Sequence, residues 1–553
     1  MKAAHVLAVL ALAPNSWCQY SRGVNLAGAE FGENNLPGRL GTDYTFNSET
    51  TYRYFGAKNL NLIRVMLRWE RLQPTLRGSL DPNYLAGIKR NVDWARAHGD
   101  RVILDIHNYG RYKLAENGVL TTYTIDNSYG GLVKVSSADL ADLWSRISNE
   151  FHDDATVYAY DLMNEPHDMG SANWKAISQA ALMAIRSNGD RKLIMVPGDN
   201  WSAAEQWARV HGPASWIVDP ASNFAYEAHQ YFDRDNSGTY ALTYDQELAF
   251  NPNLATSGPA RVAPFVNWLK ANNGRGYLGE YGIPNTDARW MTVLDNFLAA
   301  LDGAQLDGTY WAAGEWWGNY PLSVQPQDNF TTDRMQLGVL NQHLTPGLFT
   351  TVSAASSTGF IFAPDSLVTG YGAGLAIDGV QVELTDAAGA KHLAALLYVS
   401  ASQINYLVPA DLAPGHLDVA VRNGTSVVSR GTLELDRVAP SLFAANGAQI
   451  VRVKPDGTQI YEPVVEGVPI DFGDSTDRLF LLLYGTGFRN ASATTLQIGT
   501  MAILLSYAGK QPQFPGLDQA NAELPRSLMG AGQVAVTFTA DNKPANRVSL
   551  NFH

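Results

Sequence analysis

The sequence predicts an α/β (β/α)8 barrel, a TIM barrel, followed by all-β immunoglobulin-like modules, and three observations carry that reading. From Ser21 to about Gly347, short apolar runs alternate with amphipathic helical stretches, the pattern of parallel strands joined by helical crossovers. Eight such runs can be counted, the number that closes a barrel. After about Thr350 helical periodicity vanishes, and short runs rich in Val, Thr, Leu and Gly take its place.

In chain order, residues 1–19 read as a signal peptide. Lys2 precedes an apolar run, Val6–Ala13, which is followed by Pro14, Asn15 and Ser16. That run is far shorter than the roughly 20 residues a membrane span needs, so cleavage between Ala13 and Gln19 and a secreted, extracellular product are expected. No later transmembrane run is found. Cys18 is the single cysteine, so neither an intrachain disulfide nor a cysteine-built metal cage is available.

Residues 20–347 are expected to form the catalytic barrel. Its strands are placed at Gly23–Leu26, Leu62–Met66, Val102–Ile106, Tyr158–Met163, Leu193–Pro197, Phe224–His229, Tyr277–Glu280 and Thr309–Ala312. Helical periodicity covers Tyr84–His98, Ser137–Phe151, Trp174–Arg186, Val262–Asn272 and Trp290–Leu301. An open doubly wound sheet is the rival, but it carries a Gly-rich phosphate turn after its first strand. Here Ala27-Gly28-Ala29-Glu30-Phe31-Gly32 lacks that spacing.

Residues 350–437 and 438–553 are expected to be two β-sandwich modules, because the tail repeats itself. Tyr371-Gly372-Ala373-Gly374 returns as Tyr484-Gly485-Thr486-Gly487, 113 residues on, and Gln403-Ile404-Asn405 with Pro409 returns as Gln519-Ala520-Asn521 with Pro525, 116 residues on. Two elements in one order at nearly equal offsets mark tandem units. Asn405, Pro409, Asn521 and Pro525 read as turn and strand-end residues. The tail's role is left between adhesion to polysaccharide and a spacer or cell-surface attachment.

The bulk composition fits this plan. At 553 residues with 46% hydrophobic and 17% charged residues, the chain is an ordinary globular protein of two or three domains. A net charge of -13 argues against a nucleic-acid partner, which needs clustered Lys and Arg. The 13 Trp and 25 Tyr are more telling, since aromatic faces stack on sugar rings, although most aromatics are core.

Active sites of barrels sit at the C-terminal ends of the strands. Glu165, in Asn164-Glu165-Pro166, follows the fourth strand, and Glu280 ends the seventh. Two carboxylates in one mouth suit glycoside hydrolysis: one protonates the leaving oxygen, and the other stays ionised and attacks the anomeric carbon. Glu30, Glu70 and Glu315 also lie near strand ends, and most glutamates are caps or surface ion pairs. Arg64, near the end of the second strand, can hold a carboxylate ionised. His107 follows the third strand, and His229 and Tyr231 close the sixth. Trp311 ends the eighth, with Trp316 and Trp317 in the next loop, while Trp69 and Trp201 follow strands two and five and are expected at outer subsites.

The set Arg64, His107, Asn164-Glu165, His229, Tyr231, Glu280 and Trp311 resembles the active-site pattern of glycoside hydrolase family 5, the cellulase family, over about Ser21–Gly347. The resemblance implies Glu165 as acid/base and Glu280 as nucleophile. It implies Asn164 on the sugar 2-hydroxyl, Arg64 and Tyr231 beside the nucleophile, His229 beside the acid/base and His107 on substrate. It also implies Trp311 as the sugar platform, through a cis peptide to Ala312. His229-Gln230-Tyr231-Phe232-Asp233 and its continuation to Thr239 resemble the endoglucanase branch, which implies internal cleavage of β-1,4-glucan, probed against mannan, xyloglucan and mixed-linkage glucan, or against an inactive binding barrel. The tail resembles immunoglobulin-like repeats of secreted acidobacterial proteins. No cofactor is implied. No metal is expected: Asp233, Asp235, Ser237 and Gly238 open like a calcium loop, but Tyr244 stands where that loop needs Glu.

Overall fold

The computed structural model describes residues 20–553 except 346, 425, 445, 446 and 466, so the expected signal peptide and Cys18 lie outside the described residues. Eight parallel strands close into a barrel: β1 Arg22–Leu26, β2 Leu62–Leu67, β3 Arg101–Ile106, β4 Val157–Asp161, β5 Leu193–Pro197, β6 Phe224–Gln230, β7 Gly276–Tyr281 and β8 Asp307–Ala313. They run in order around the ring, and β1 pairs with both β2 and β8. Strands such as β2, Leu-Ile-Arg-Val-Met-Leu, are buried along their whole length, as parallel strands covered by helices must be.

The helices follow from their ends as much as from their faces. Pro82 opens one with Asp81 accepting the N–H groups of Asn83 and Tyr84. Asp139 reaches back to the Ser136 N–H at 2.7 Å to start Ser137–Phe151. The helix expected from Val262 begins earlier, at Ser257, and ends at Ala271. Gly258-Pro259 reads as a break, yet proline is tolerated in a first turn where its missing N–H has no intrahelical partner. The helix Glu49–Ala57 and the hairpin Arg111–Glu116/Val119–Thr124 have no counterpart in the strand–helix alternation.

The barrel interior is layered by the two-residue period of its strands. An apolar floor of Leu62, Ile103, Ala159, Leu193, Met195, Ala225 and Tyr277 packs together. Two residues further along the same strands stand Arg64, Asp105, Asp161 and Glu227, all fully buried. Two further still are His107 and His229, under the mouth.

The tail is all-β. Strands from Phe349 to Leu435 form a four-stranded and a five-stranded sheet over one core, including Val368, Ile404, Leu384 and Val421. Strands from Ser441 to Phe552 form two further sheets over a separate core, including Leu481, Leu483, Val536 and Phe538. In the first half, β9 Leu367–Gly372, β10 Ala395–Val399 and β11 Gln403–Leu407 pair as β9–β11–β10. In the second, β12 Arg478–Thr486, β13 Leu505–Lys510 and β14 Asp518–Leu524 pair as β12–β14–β13. Asn405 and Asn521 therefore lie inside strands, not at turns. Asn59 bonds Phe349 O and Thr350 at 2.8 Å, which fastens barrel to tail. Leu367 N–H donates to the Thr486 hydroxyl at 2.8 Å, which fastens the two tail halves.

Candidate active site

Arg64 is the hub of the barrel mouth. Its Nε donates to Asp161 at 2.7 Å, Nη1 to Asn25 and to Glu280 Oε1, each at 3.0 Å, and Nη2 to Asn164 Oδ1 at 2.9 Å. Nη2 also lies 3.2 Å from Asp105 and 3.5 Å from Glu227. One fully buried guanidinium thus faces four carboxylates. Burial opposes its charge, but the carboxylates of Asp105, Asp161, Glu227 and Glu280 outweigh that and raise its pKa further.

The four acids cannot all be ionised around one such cation. Burial pushes the Asp105 carboxyl up to about 8, Glu227 to about 7 and Asp161 to about 6. Asp161 Oδ1 and Glu227 Oε2 have no hydrogen-bond partner among the described residues, which leaves room for retained protons. Glu280 is held from both sides: Arg64 on Oε1, and the Tyr231 hydroxyl donating to Oε2 at 2.9 Å.

Asn164 fixes the state of His107. Its Oδ1 faces Arg64, which only donates, so its amide Nδ2 points at His107 Nε2, 3.2 Å away. That nitrogen accepts, and the His107 proton sits on Nδ1, 2.7 Å from Asp105. Burial lowers the His107 pKa well below its ordinary value, which agrees with a neutral ring. His229 is the opposite case. Its Nδ1 is 2.8 Å from Glu165 Oε1 and its Nε2 is 3.2 Å from Glu227 Oε1. Burial disfavours the cation, yet Glu280, Glu165 and Glu227 outweigh it and raise the pKa well above the ordinary value.

Glu165 sits directly past β4 with a left-handed backbone, φ 41°, a conformation that costs a non-glycine residue energy and clusters at functional sites. An oxygen of Glu165, a ring nitrogen of His229 and an oxygen of Glu280 all lie within 4.8 Å of one another. The same three donors are the set that could take a divalent cation among the described residues.

A cavity of about 560 Å³ opens beside this pair, lined by His107, Tyr109, His167, Trp311 and Trp317 among others. The Trp311–Ala312 peptide is cis. The Trp311 ring lies parallel to His107 at 5.9 Å, and its Nε1 donates to the Tyr320 hydroxyl at 3.2 Å. Trp317 stacks on Tyr320 at 4.4 Å. Trp201 is 43% exposed and stacks on His167 at 4.5 Å. Trp69 does not reach the mouth. It is fully buried, packs edge-on to Tyr112 at 5.0 Å and donates to Gln73 at 3.1 Å, because β2 has ended and the short helix Trp69–Leu72 folds back onto the core.

The other strand-end acids hold loops. Glu315 accepts from Ser48 N–H and the Thr51 hydroxyl at the start of Glu49–Ala57. Glu70 accepts from Asn108 and the Lys113 N–H. Glu30 accepts the Gly28 N–H at 2.8 Å. In the loop that opens like a calcium site, Asp233 is occupied by the Ser237 hydroxyl and the Gly238 and Tyr240 N–H groups.

The structure therefore gathers Arg64, His107, Asn164, Glu165, His229, Tyr231, Glu280 and Trp311, with Trp201 and Trp317 at the rim. Asn25, Asp105, Asp161, Glu227, Tyr109 and Tyr320 are additional. The acids had a readable signal: Asp105 and Glu227 stand two residues before His107 and His229, on the same strand face.

The family model for cellulase (glycosyl hydrolase family 5) matches residues 24–319. The probable endo-beta-1,4-glucanase B of Aspergillus niger is 32% identical over 325 residues, 58% of this chain and 89% of that protein. Endo-beta-1,4-glucanase A of Emericella nidulans is 33% identical over 323 residues, 58% of this chain and 91% of that protein. Among solved structures, XacCel5A in complex with cellopentaose is 35% identical with a TM-score of 0.52, covering 59% of this chain and 99% of that one. Pseudomonas stutzeri endoglucanase Cel5A with cellobiose is 36% identical with a TM-score of 0.52, covering 59% and 92%.

Proposed function

We propose, for a chain that belongs to glycosyl hydrolase family 5, that it is a secreted endo-β-1,4-glucanase cutting internal bonds of cellulose-type glucan with retention of configuration. The approach of Glu165 and Glu280 oxygens to within 4.8 Å carries the mechanism. Carboxyl groups about 5–5.5 Å apart suit double displacement, whereas inversion needs about 6.5–9.5 Å to admit a water.

Glu280, fixed by Arg64 and Tyr231, attacks the anomeric carbon while Glu165 gives its proton to the departing glycosidic oxygen. Water then enters, Glu165 takes its proton, and the glycosyl–Glu280 ester is released. His229 supports Glu165 through both steps, since its cation favours the carboxylate that the first step leaves behind. Asn164 offers its amide to the sugar 2-hydroxyl, His107 faces substrate, and Trp311 with Trp317 and Trp201 gives the sugars apolar platforms.

The named relatives support glucan as substrate. The apolar run Val6–Ala13 supports secretion, and no helix among the described residues is long and apolar enough to cross a membrane. The two-sheet halves of the tail support an immunoglobulin-like pair of modules divided near residue 437. The test is reducing-sugar release and viscosity with carboxymethyl cellulose, for wild type and Glu280→Gln. A fast viscosity drop with few new chain ends, abolished in the folded variant, is expected. Silence of the wild type on every β-glucan would overturn the reading.

A further inference from the structure

The two tail halves share a solvent-facing cluster more faithfully than they share their cores. Tyr371 pairs with Gln403 across β9 and β11, and Tyr484 pairs with Gln519 across β12 and β14. Tyr398 stands opposite Asn405, and Tyr507 opposite Asn521. Each of these edge strands carries a bulge at the same place, between Leu396 and Tyr398 and between Leu505 and Tyr507, a device that re-aims a side chain. The Gln403 amide donates to Asn405 Oδ1 at 2.8 Å, and the Gln519 amide donates to Asn521 Oδ1 at 2.7 Å.

The core positions between them have drifted. Ile404 and Tyr406 of the first half, both fully buried, are replaced in the second by Ala520 and Ala522. At these two positions the face is repeated where the core is not, so packing alone does not account for the repeated polar set. Neither amide pair has a further side-chain hydrogen-bond partner among the described residues. Tyr398 and Tyr507 are 52% and 42% exposed.

We infer that each half carries a binding site for a β-1,4-glucan chain, built from Tyr398, Gln403, Asn405 and Tyr371 and again from Tyr507, Gln519, Asn521 and Tyr484. The chemistry selects the ligand. In each pair the bond between the amides uses the Gln NH2 and the Asn oxygen, which leaves the Asn NH2 as a donor and the Gln carbonyl oxygen as an acceptor for sugar hydroxyls. The neighbouring tyrosine supplies a ring for the apolar sugar face. No member of the repeated set is charged, which fits a neutral polymer and not a phosphate or uronate. The choice of β-glucan among neutral glycans rests on the activity proposed for the barrel.

The experiment uses the full chain. Partition onto insoluble cellulose at low temperature is measured for wild type, for Tyr398→Ala/Tyr507→Ala and for Asn405→Asp/Asn521→Asp, alongside hydrolysis of soluble carboxymethyl cellulose and thermal unfolding. Both double variants should unfold with the wild type, hydrolyse soluble substrate at the wild-type rate and partition at least fivefold less. Wild-type partition by either folded variant, or no partition by wild type, overturns the inference. Tyrosine-dependent retention by a wild type that hydrolyses no β-glucan would sustain these sites while removing the activity proposed for the barrel.

Discussion

Glu227→Gln removes one buried proton-binding group from the mouth and keeps its shape. Burial raises that carboxyl from the ordinary 4.5 to about 7. Between those values the folded protein holds a proton that the unfolded chain has released. Stability then falls as pH rises: the contribution is full below about 4.5 and is lost as pH passes through about 7. Integrated from about pH 5 to about pH 7.5, the loss is about 2.5 kcal/mol, or roughly 3–5 °C in melting temperature for a barrel of this size. Asp105 and Asp161 are coupled to Glu227, so the difference between the two proteins reports the carboxyl cluster around Arg64 as a unit. Thermal unfolding followed by circular dichroism across that range should show wild type dropping more steeply than Glu227→Gln by that amount. Parallel curves would mean that Glu227 is ionised in the folded protein, and the argument from burial would fail.

Tyr231→Phe deletes a hydrogen bond to a carboxylate, worth about 1.5–3 kcal/mol, so kcat on carboxymethyl cellulose should fall about 10–100-fold; an unchanged kcat would remove Tyr231 from the support of Glu280. Glu165→Gln should cost about 10²–10⁴-fold on polymer, with most of the loss in kcat/KM, which reports the first step, regained on aryl cellobiosides whose leaving group needs no proton, while kcat stays low because the second step still lacks its base; equal loss of kcat/KM on both would deny Glu165 the acid role. Trp69→Ala should cost about 3–5 kcal/mol of stability and leave the product pattern alone, whereas Trp201→Ala should change the product pattern and leave stability alone. Chromatography of oligosaccharide products with a melting curve separates the two, and a product change in Trp69→Ala would reverse their placement.

Arg64, His107, His229 and Glu280 were legible in the sequence because strands have a period of two and barrel chemistry gathers at strand ends. Asp105 and Glu227 carry the same two-residue signal before His107 and His229, but an Asp or Glu inside an apolar run reveals its role only when its neighbours across the barrel are known. Trp69 misled because a tryptophan after a strand has the same local sequence whether the chain continues into the mouth or turns back onto the core. In the tail the repeat was legible at Tyr371, Gln403 and their counterparts. Their pairing across adjacent strands was not, because register is a property of two segments and not of either one.

Gly279, directly before Glu280, leaves little room: a Cβ placed there would meet Glu227 Oε1 at 1.7 Å and His229 Nε2 at 2.9 Å. The two positions are therefore coupled through space. Alanine at 279 has to push the Glu227 carboxylate aside, and that shift, like a shortening of residue 227, uncouples His229 from its partner. Two substitutions that look independent in the sequence thus act on one imidazole. The glycine beside the nucleophile should thus persist in descendants of this chain for a reason of space, and the residue to watch for its release is 52 positions upstream.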